Sequence, residues 1–502
     1  MSATISRREM LRHSLLGTAG LLLGRGLAWG ASGTSPSPAD KGKSVSARPN
    51  IVIILADDLG WGSIGSYGAD SKLVRTPNLD RLAKEGRRFT DANTASSVCS
   101  PTRYALLTGR YCWRTSLQYE VLNVRAPLHI EPTRPTLASM LKSLGYRTAV
   151  VGKWHLGYQS QKTDYTRPLR PGPQDVGFDY QFAVPSNHGD ATGVYVEGDR
   201  VAGLRSATLS PDKYKNWRGA RRLGLDAPQR VDEDVMPTLT EKAVAWLKQQ
   251  EQGQPFFLYY APVAVHNPVT PSNETKDTSR AGPYGDWIHE LDRSVGAVLA
   301  ALDEKGLTND TLVLFTSDNG GEFFGEEQAA ARAAGLQSMG PFKGDKHTIW
   351  EGGFRVPYIV RWPGRVAAGT ACDEMVSLTD TFATLAALVG VPMPVASQAA
   401  EDSFNLLPAW LGERHDAPLR PHMIVHSADG VFAIRQGPWK WIEGKPAKPK
   451  PPRVRRDEFH PQFYNLANDI GETTDVQDSN PAVVAELKAL LNRCREQSQS
   501  RE

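Results

Sequence analysis

Apolar positions along this chain fall into two alternating patterns. Pro49-Asn50-Ile51-Val52-Ile53-Ile54-Leu55 is an unbroken, largely β-branched run, as expected of a strand covered on both faces. Next, Thr76 as N-cap, Pro77 at the first helical position, Leu79, Leu82 and Ala83 on one side, and Gly86 as stop predict a helix. The rhythm repeats: helix 136–144 closed by Gly145, strand 147–151, helix 239–250, strand 256–260, helix 287–302 and strand 311–316. Strand 357–362 and helix 379–389 follow. This order predicts an α/β fold with a large, mostly parallel sheet flanked by helices. Beyond Pro421 the texture changes to short strands at 423–426, 431–435, 440–442 and 462–466, then a helix at 481–495. That reads as a smaller C-terminal α+β subdomain, 421–502, whose antiparallel sheet packs beside a main domain of 49–420. The basic, proline-rich stretch 445–456 reads as a solvated loop rather than a polyanion contact.

At 502 residues, 40% hydrophobic and 23% charged, the chain can bury a large core. Its formal net charge is +3, but residues 1–31 hold four arginines against one glutamate, so the remainder is near neutral. Charge therefore gives no argument for a nucleic-acid partner. Ser6-Arg7-Arg8-Glu9-Met10-Leu11-Arg12 reads as a twin-arginine export motif, with a weakly apolar run at 14–23 ending near Ala28-Trp29-Gly30-Ala31. That run is shorter than the about 20 residues a membrane span needs, and no later run is long enough either. Residues 1–31 are thus expected to be a signal peptide, 32–48 a flexible linker, and the product periplasmic or secreted. The cysteines are Cys99, Cys112, Cys372 and Cys494, without a CxxC pair, so no disulfide framework is expected beyond at most one bridge.

One cysteine stands at the mouth of a predicted helix. In Val98-Cys99-Ser100-Pro101-Thr102-Arg103, Pro101 suits the first turn, Leu106 and Leu107 give an apolar face, and Gly109 ends the element. A helix start favours negative charge and would stabilise a thiolate or oxyanion, with Arg103 one turn on; a lone cysteine is more often a small buried hydrophobe. Ligands of open α/β sheets gather beyond the carboxyl ends of strands. There the sequence offers Asp57 and Asp58, then Lys153 and His155, His266, and Asp318 with Asn319; Lys343 and Lys346 precede Trp350-Glu351-Gly352-Gly353. Turn chemistry explains each alone. Together, three carboxylates and an amide form a hard oxygen set suited to Ca²⁺ or Mg²⁺ rather than zinc, and a cation would relieve the repulsion of Asp57 and Asp58.

These residues resemble the signature of the type I sulfatases, Cys-x-Pro-Ser/Thr-Arg followed by Leu-x-Thr-Gly, here Cys99 to Arg103 and Leu106 to Gly109. Ala56-Asp57-Asp58-Leu59-Gly60-Trp61-Gly62 is similar to that family's first metal motif. Gly152-Lys153-Trp154-His155-Leu156-Gly157 is similar to its second block, His266-Asn267-Pro268 to its His-x-Pro, and Thr316-Ser317-Asp318-Asn319-Gly320-Gly321 to its second metal motif. Lys346 falls where the family's sulfate-binding lysine does, and Lys343 does not. The similarity spans roughly 49–365, with Phe463-Tyr464-Asn465-Leu466-Ala467 added.

The resemblance implies an alkaline-phosphatase-like fold and a calcium ion, sometimes magnesium, held by Asp57, Asp58, Asp318, Asn319 and the modified Cys99. It also implies that Cys99 is oxidised to formylglycine by a cytoplasmic formylglycine-generating or sulfatase-maturating enzyme. One hydroxyl of the aldehyde hydrate attacks sulfur, and the other expels sulfate by re-forming the aldehyde. Lys153, Lys346 and His266 would neutralise the transferring group, His155 would take the proton of the hydrate, and His266 would protonate the leaving alcohol. Since twin-arginine machinery carries folded proteins, conversion and metal loading would precede export.

The implied substrate is a sulfated small molecule, a sulfated carbohydrate or an aryl sulfate. Asn187 and His188, in Pro185-Ser186-Asn187-His188-Gly189-Asp190, either bond a sugar hydroxyl or form a polar loop. Trp113, Trp217 and Trp350 either stack on a sugar or pack in the core, and each taken singly is expected in the core. A phosphonate or phosphate ester hydrolase could use the same scaffold, although a dianion asks for more positive charge than Arg103, Lys153 and Lys346 supply. A non-catalytic exported glycan-binding protein would leave catalytic positions unfilled, and here all are filled.

Overall fold

Strand β1, Asn50–Ala56, is the spine of the molecule, with every residue buried. In this computed structural model residues 48–444 and 460–501 are described. The expected signal peptide, the linker apart from Arg48, and the basic loop at 445–456 lie outside the described residues. The remaining strands are β2 Arg87–Phe89, β3 Ala92–Asn93, β4 Arg147–Lys153, β5 Tyr180–Val184, β6 Val196–Glu197 and β7 Arg200–Val201. Then come β8 Ser206–Leu209, β9 Leu225–Asp226, β10 Phe256–Ala261, β11 Thr311–Ser317, β12 Tyr358–Arg361, β13 Thr370–Cys372 and β14 Val376–Ser377. Ten of these form one sheet in the order β13-β2-β12-β11-β1-β10-β4-β5-β6-β7. Its centre, β11-β1-β10-β4-β5, is parallel throughout; β12 runs antiparallel to β11, and β6 and β7 close the other side as antiparallel additions.

Helices cover both faces, and β1 shows why its sequence does not alternate. Ile51, Ile53 and Leu55 pack on one side with Leu106 of helix α2 (Cys99–Thr108), Leu141 of a helix at Leu137–Ser143, and Phe382 of a helix at Thr381–Leu388. Val52, Ile54 and Ala56 pack on the other with Leu79 and Leu82 of helix Pro77–Glu85, Leu239 of helix Val235–Lys248, and Leu291 and Val295 of helix Gly282–Glu304. Each such side chain contributes about 1.5–3 kcal/mol on burial.

Several local expectations need correction. Thr76 precedes its helix but does not cap it: its hydroxyl accepts from Gly65 N, while the Asp292 carboxylate takes Asn78 N and Leu79 N at 3.2 and 2.8 Å. The long helix begins at Gly282 rather than Trp287, because Pro283 and two glycines conceal a start that buried Tyr284 belongs to. Strand β4 runs on through Gly152 and Lys153, so Lys153 ends the strand instead of following it.

The C-terminal strands β15 Met423–His426, β16 Phe432–Gln436, β17 Trp439–Ile442 and β18 Gln462–Asn465 form an antiparallel four-stranded sheet. Ile424, Ile434, Trp441 and Phe463 face Leu487 and Leu491 of the last helix, Pro481–Glu496, and Ala105 of α2. Met423, Val425, Ala433 and Ile442 face Ile349, Trp350 and Phe354. The small sheet is thus wedged between the helix that begins at Cys99 and the loop that carries Lys346. A buried charge network ties it there: Glu351 meets Arg355, Arg435 and Lys440, and Lys440 also reaches Glu472 at 2.8 Å. All four cysteines are buried and free, so the one bridge left open by the sequence does not form. Among the described residues no helix is long and apolar enough to cross a membrane.

Candidate active site

The carboxyl ends of β1, β4, β10 and β11 deliver their following residues to one place. Asp57 and Asp58 leave β1, Asp58 at φ 60, a left-handed conformation aspartate tolerates better than most side chains. Asp58 N donates to Asp318 Oδ1 at 3.2 Å, joining the end of β11 to the end of β1. Gly152 in β4 sits at φ 116, and a Cβ there would lie 1.9 Å from Ala261 O, so only glycine lets this strand lie against β10 just before Lys153. Cys99 enters as the first residue of α2, after the extended Val98.

Acceptor and thiol atoms of Asp57, Asp58, Cys99 and Asp318 all lie within 4.8 Å of one another, and Cys99 Sγ is 4.0 Å from Asp57 Oδ1. Lys153 Nζ bonds both Asp57 oxygens at 2.7 and 2.8 Å, and Lys346 Nζ bonds Asp58 Oδ2 at 2.6 Å. Arg103, wholly buried one turn into α2, gives Nε and Nη2 to Asp318 Oδ2 at 3.0 and 2.7 Å and Nη1 to Lys153 O at 3.1 Å. Asn319 donates Nδ2 to Asp58 Oδ1 at 2.7 Å, while its buried Oδ1 has no hydrogen-bond partner among the described residues. Three carboxylates therefore face three fixed cations, and the cluster is charge-balanced as it stands.

Burial dominates the proton affinities. It drives the Asp57 carboxyl up to about 7 against the pull of Lys153, with Asp318 and Asp58 adding to the rise. Burial also opposes ionisation of Asp58, but Lys346, His266 and Lys153 together hold it well below the usual carboxylate range. The Cys99 thiol is pushed up to about 12, chiefly by desolvation, with Asp318 and Asp57 offsetting Lys153 and Lys346. Loss of solvent thus opposes the thiolate that the helix start would favour. Burial lowers both histidines far below 6.5, reinforced by Lys153 and Arg103 at His155 and by Lys346 at His266.

His155 takes φ 55 and sets Nε2 against Leu122 O at 3.0 Å, which leaves its buried Nδ1 without a hydrogen-bond partner among the described residues. His266 Nδ1 lies 2.5 Å from Asn267 O, and Nε2 is 3.8 Å from Asp58 Oδ2. Cys99, His155, Asn187, His266 and Lys346 line one cavity of about 700 Å³. Lys343 turns away, bonding Glu472 O at 3.2 Å and covering Trp350.

His188 departs from the sequence-based expectation that it reaches a substrate. It is fully buried, with Nε2 2.7 Å from Thr270 Oγ1 and its ring 5.9 Å from that of Trp287, and it does not line the cavity. Thr270 and Trp287, which meet its ring, lie more than 80 positions along the chain, beyond any local signal. Trp350 is a core residue and Trp113 is half-buried, as expected of each singly, but Trp217 stands 43% exposed at the cavity mouth. Sequence reasoning also passed over Glu322, whose Oε2 lies 3.2 Å from Asn267 Nδ2 and 3.9 Å from Lys346 Nζ; its place just after Asp318-Asn319-Gly320-Gly321 was the available signal.

With this geometry in view, comparison with known proteins is decisive for the family. The Sulfatase family model matches residues 49–391. An N-acetylgalactosamine-6-O-sulfatase of Bacteroides thetaiotaomicron is 35% identical over 489 residues, covering 90% of this chain and 94% of that protein. Human arylsulfatase A is 33% identical over 480 residues, covering 89% and 88%. A solved structure from work on glycosaminoglycan metabolism by Bacteroides thetaiotaomicron superposes with a TM-score of 0.82 at 34% identity, covering 90% of this chain and all of that one. The chain belongs to the sulfatase family and is a hydrolase of sulfate esters with an alkaline-phosphatase-like fold.

Proposed function

We propose that this sulfatase removes sulfate from a sulfated glycan, acting on a 6-O-sulfated N-acetylgalactosamine, and that it does so with a formylglycine made from Cys99 and a bound calcium ion, or magnesium in its place. The observation that carries the reading is the meeting of Cys99 with Asp57, Asp58 and Asp318 inside 4.8 Å. Residues from three distant stretches gather there beside two lysines and a histidine with an open ring nitrogen. The donor set fits a hard cation: three carboxylates and the unpartnered Oδ1 of Asn319 are all oxygen ligands. Asp57, Asp58, Asp318, Asn319 and the modified Cys99 would hold that cation, which when bound supplies a Lewis acid toward a sulfate oxygen and the nucleophile. Conversion of Cys99 supplies an aldehyde hydrate, and with it both a nucleophile and an exit for sulfate.

The chain's own residues do the rest. Adding a divalent cation to a balanced cluster leaves net positive charge, which draws a tetrahedral anion to the end of the cavity. Lys346, held on Asp58, lines the cavity and presents its ammonium group to that anion, while Lys153, wholly buried on Asp57 and outside the cavity lining, would contribute its charge from behind the cluster. Arg103 touches no solvent and acts as a positioning residue, fixing Asp318 and the carbonyl of Lys153. With Nε2 turned to Leu122 O, His155 keeps Nδ1 free to accept a proton. His266 lines the cavity with Nδ1 2.5 Å from Asn267 O and Nε2 3.8 Å from Asp58 Oδ2; to serve the departing alcohol Nε2 must also carry a proton, which the negative charge of a bound sulfate ester would favour. Export through the twin-arginine route, after modification in the cytoplasm, would place this activity in the periplasm or outside the cell.

Sulfate release from N-acetylgalactosamine 6-sulfate, its 4-sulfate isomer, nitrophenyl sulfate and nitrophenyl phosphate tests the reading. The 6-sulfate is expected to give the highest kcat/KM. Faster phosphate turnover would sink the sulfuryl-transfer assignment, and preference for the 4-sulfate would sink the substrate assignment alone.

A further inference from the structure

The turn that presents Cys99 also anchors His155, and both residues line the cavity. Ser100, the second residue of α2, is wholly buried, and its hydroxyl makes two bonds. It donates to His155 O at 3.0 Å and accepts from Leu122 N at 3.1 Å. His155 closes this loop of contacts by setting Nε2 3.0 Å from Leu122 O. One hydroxyl therefore holds the backbone of His155 and also the segment whose carbonyl meets its ring. That backbone needs holding, because φ 55 is uncommon for any residue but glycine. A carbonyl oxygen only accepts, so the contact with Leu122 O requires the hydrogen on Nε2. Burial, with the charges of Lys153 and Arg103, keeps the imidazole neutral. The lone pair then sits on Nδ1, which has no hydrogen-bond partner among the described residues.

We propose that Ser100 is a positioning residue for His155: through Leu122 it fixes the ring and its tautomer, so that Nδ1 is the proton acceptor when sulfate leaves. The inference rests on the formylglycine reading above and deepens it. In that step Nδ1 takes the proton of the free hydroxyl of the aldehyde hydrate, and the O–H pair becomes the new carbonyl bond. The carbon–oxygen bond to sulfate breaks, its pair leaving on sulfate. Without the Ser100 hydroxyl, the His155 carbonyl and the Leu122 amide each lose a buried partner, and the ring loses its fixed acceptor.

Nitrogen NMR of isotope-labelled histidines, on protein whose Cys99 is unconverted, reads the tautomer without turnover, and His155→Gln assigns the signal. His155 is expected to show a protonated Nε2 and a bare Nδ1, and Ser100→Ala to show exchange between the two tautomers. The opposite tautomer in the wild type, or an unchanged signal in Ser100→Ala, would overturn the proposal. The second readout is nitrophenyl sulfate turnover per aldehyde, with the converted fraction of each variant measured by mass spectrometry because Ser100 adjoins Cys99. With so good a leaving group, slowed sulfate exit becomes rate-limiting. Ser100→Ala should then lower kcat and KM together by about tenfold, leave kcat/KM within about twofold, and show a burst of nitrophenol. Added to His155→Gln, it should lower kcat no further. A loss of kcat/KM equal to that of kcat, or a further loss in the double variant, would mark general damage to the site and overturn the proposal. Should Ser100→Ala not fold, Ser100→Cys, close in shape and a weak donor and acceptor, replaces it in both readouts. If the wild-type protein releases no sulfate, the function reading fails, while the spectra still decide the role of Ser100.

Discussion

Replacing Arg103 by Met tests whether the cluster is held by compensation between charges. Arg103 is wholly buried and makes three hydrogen bonds, two to Asp318 Oδ2 and one to Lys153 O. Removing it leaves Asp318 without its guanidinium partner and strips a buried carbonyl of its donor. Breaking a buried pair from one side costs about 3–5 kcal/mol, because the remaining charge is neither paired nor solvated. Asp318→Asn alone should cost a similar amount for the converse reason. In the double variant neither charge remains, so its cost should fall short of the summed single costs by about 2 kcal/mol or more. Urea unfolding of the four proteins in chelator at pH 7, followed by circular dichroism, measures this cycle without the contribution of a bound cation. Additive single costs, or an Arg103→Met cost below about 1 kcal/mol, would refute the compensation argument.

Asp318→Asn should weaken calcium binding by tenfold or more in calorimetry, since it removes one of three carboxylates; unchanged affinity would remove Asp318 from the ligand set. Lys346→Met should lower kcat/KM by about 10²–10³, and Lys343→Met by only a few fold, because Lys343 points at Glu472 O; equal losses would contradict the assignment. Burial lowers His426 from 6.5 to about 4, so the unfolded chain binds the proton first as the medium is acidified. Stability present above pH 6.5 is therefore lost between 6.5 and about 4, by about 3 kcal/mol from this residue. His426→Asn should flatten the dependence of the urea midpoint on pH in that window, and an unaltered slope would show that His426 does not contribute.

The sequence was most legible where the chemistry is local. The run at 49–55 announces a doubly covered strand, and β1 is buried at every residue. Cys99, Pro101 and Gly109 mark the start, first turn and end of α2, with Gly109 at φ 67. What escaped depends on partners far along the chain. The cap of helix Pro77–Glu85 comes from Asp292, and nothing near Thr76 foretells it. Strand β4 passes through a glycine that local propensity treats as a breaker, because it lies against Ala261. The edge strands β6 and β7 are two residues each, too short for a period to register. His188 and Trp217 show the same limit from opposite sides. Both are polar-aromatic candidates in sequence, yet one packs near Trp287 in the core and the other opens on the cavity.

Cys99 acts here as an aldehyde and not as a thiol, and burial, which pushes the unmodified thiol up to about 12, works against the thiolate alternative. Mass spectrometry of the peptide spanning Cys99, on protein coexpressed with and without a maturating enzyme, tests it when paired with sulfate release from the same samples. The prediction is that sulfur and two hydrogens are replaced by one oxygen at Cys99, and that activity scales with the converted fraction. Full turnover by protein in which Cys99 remains a thiol would contradict it.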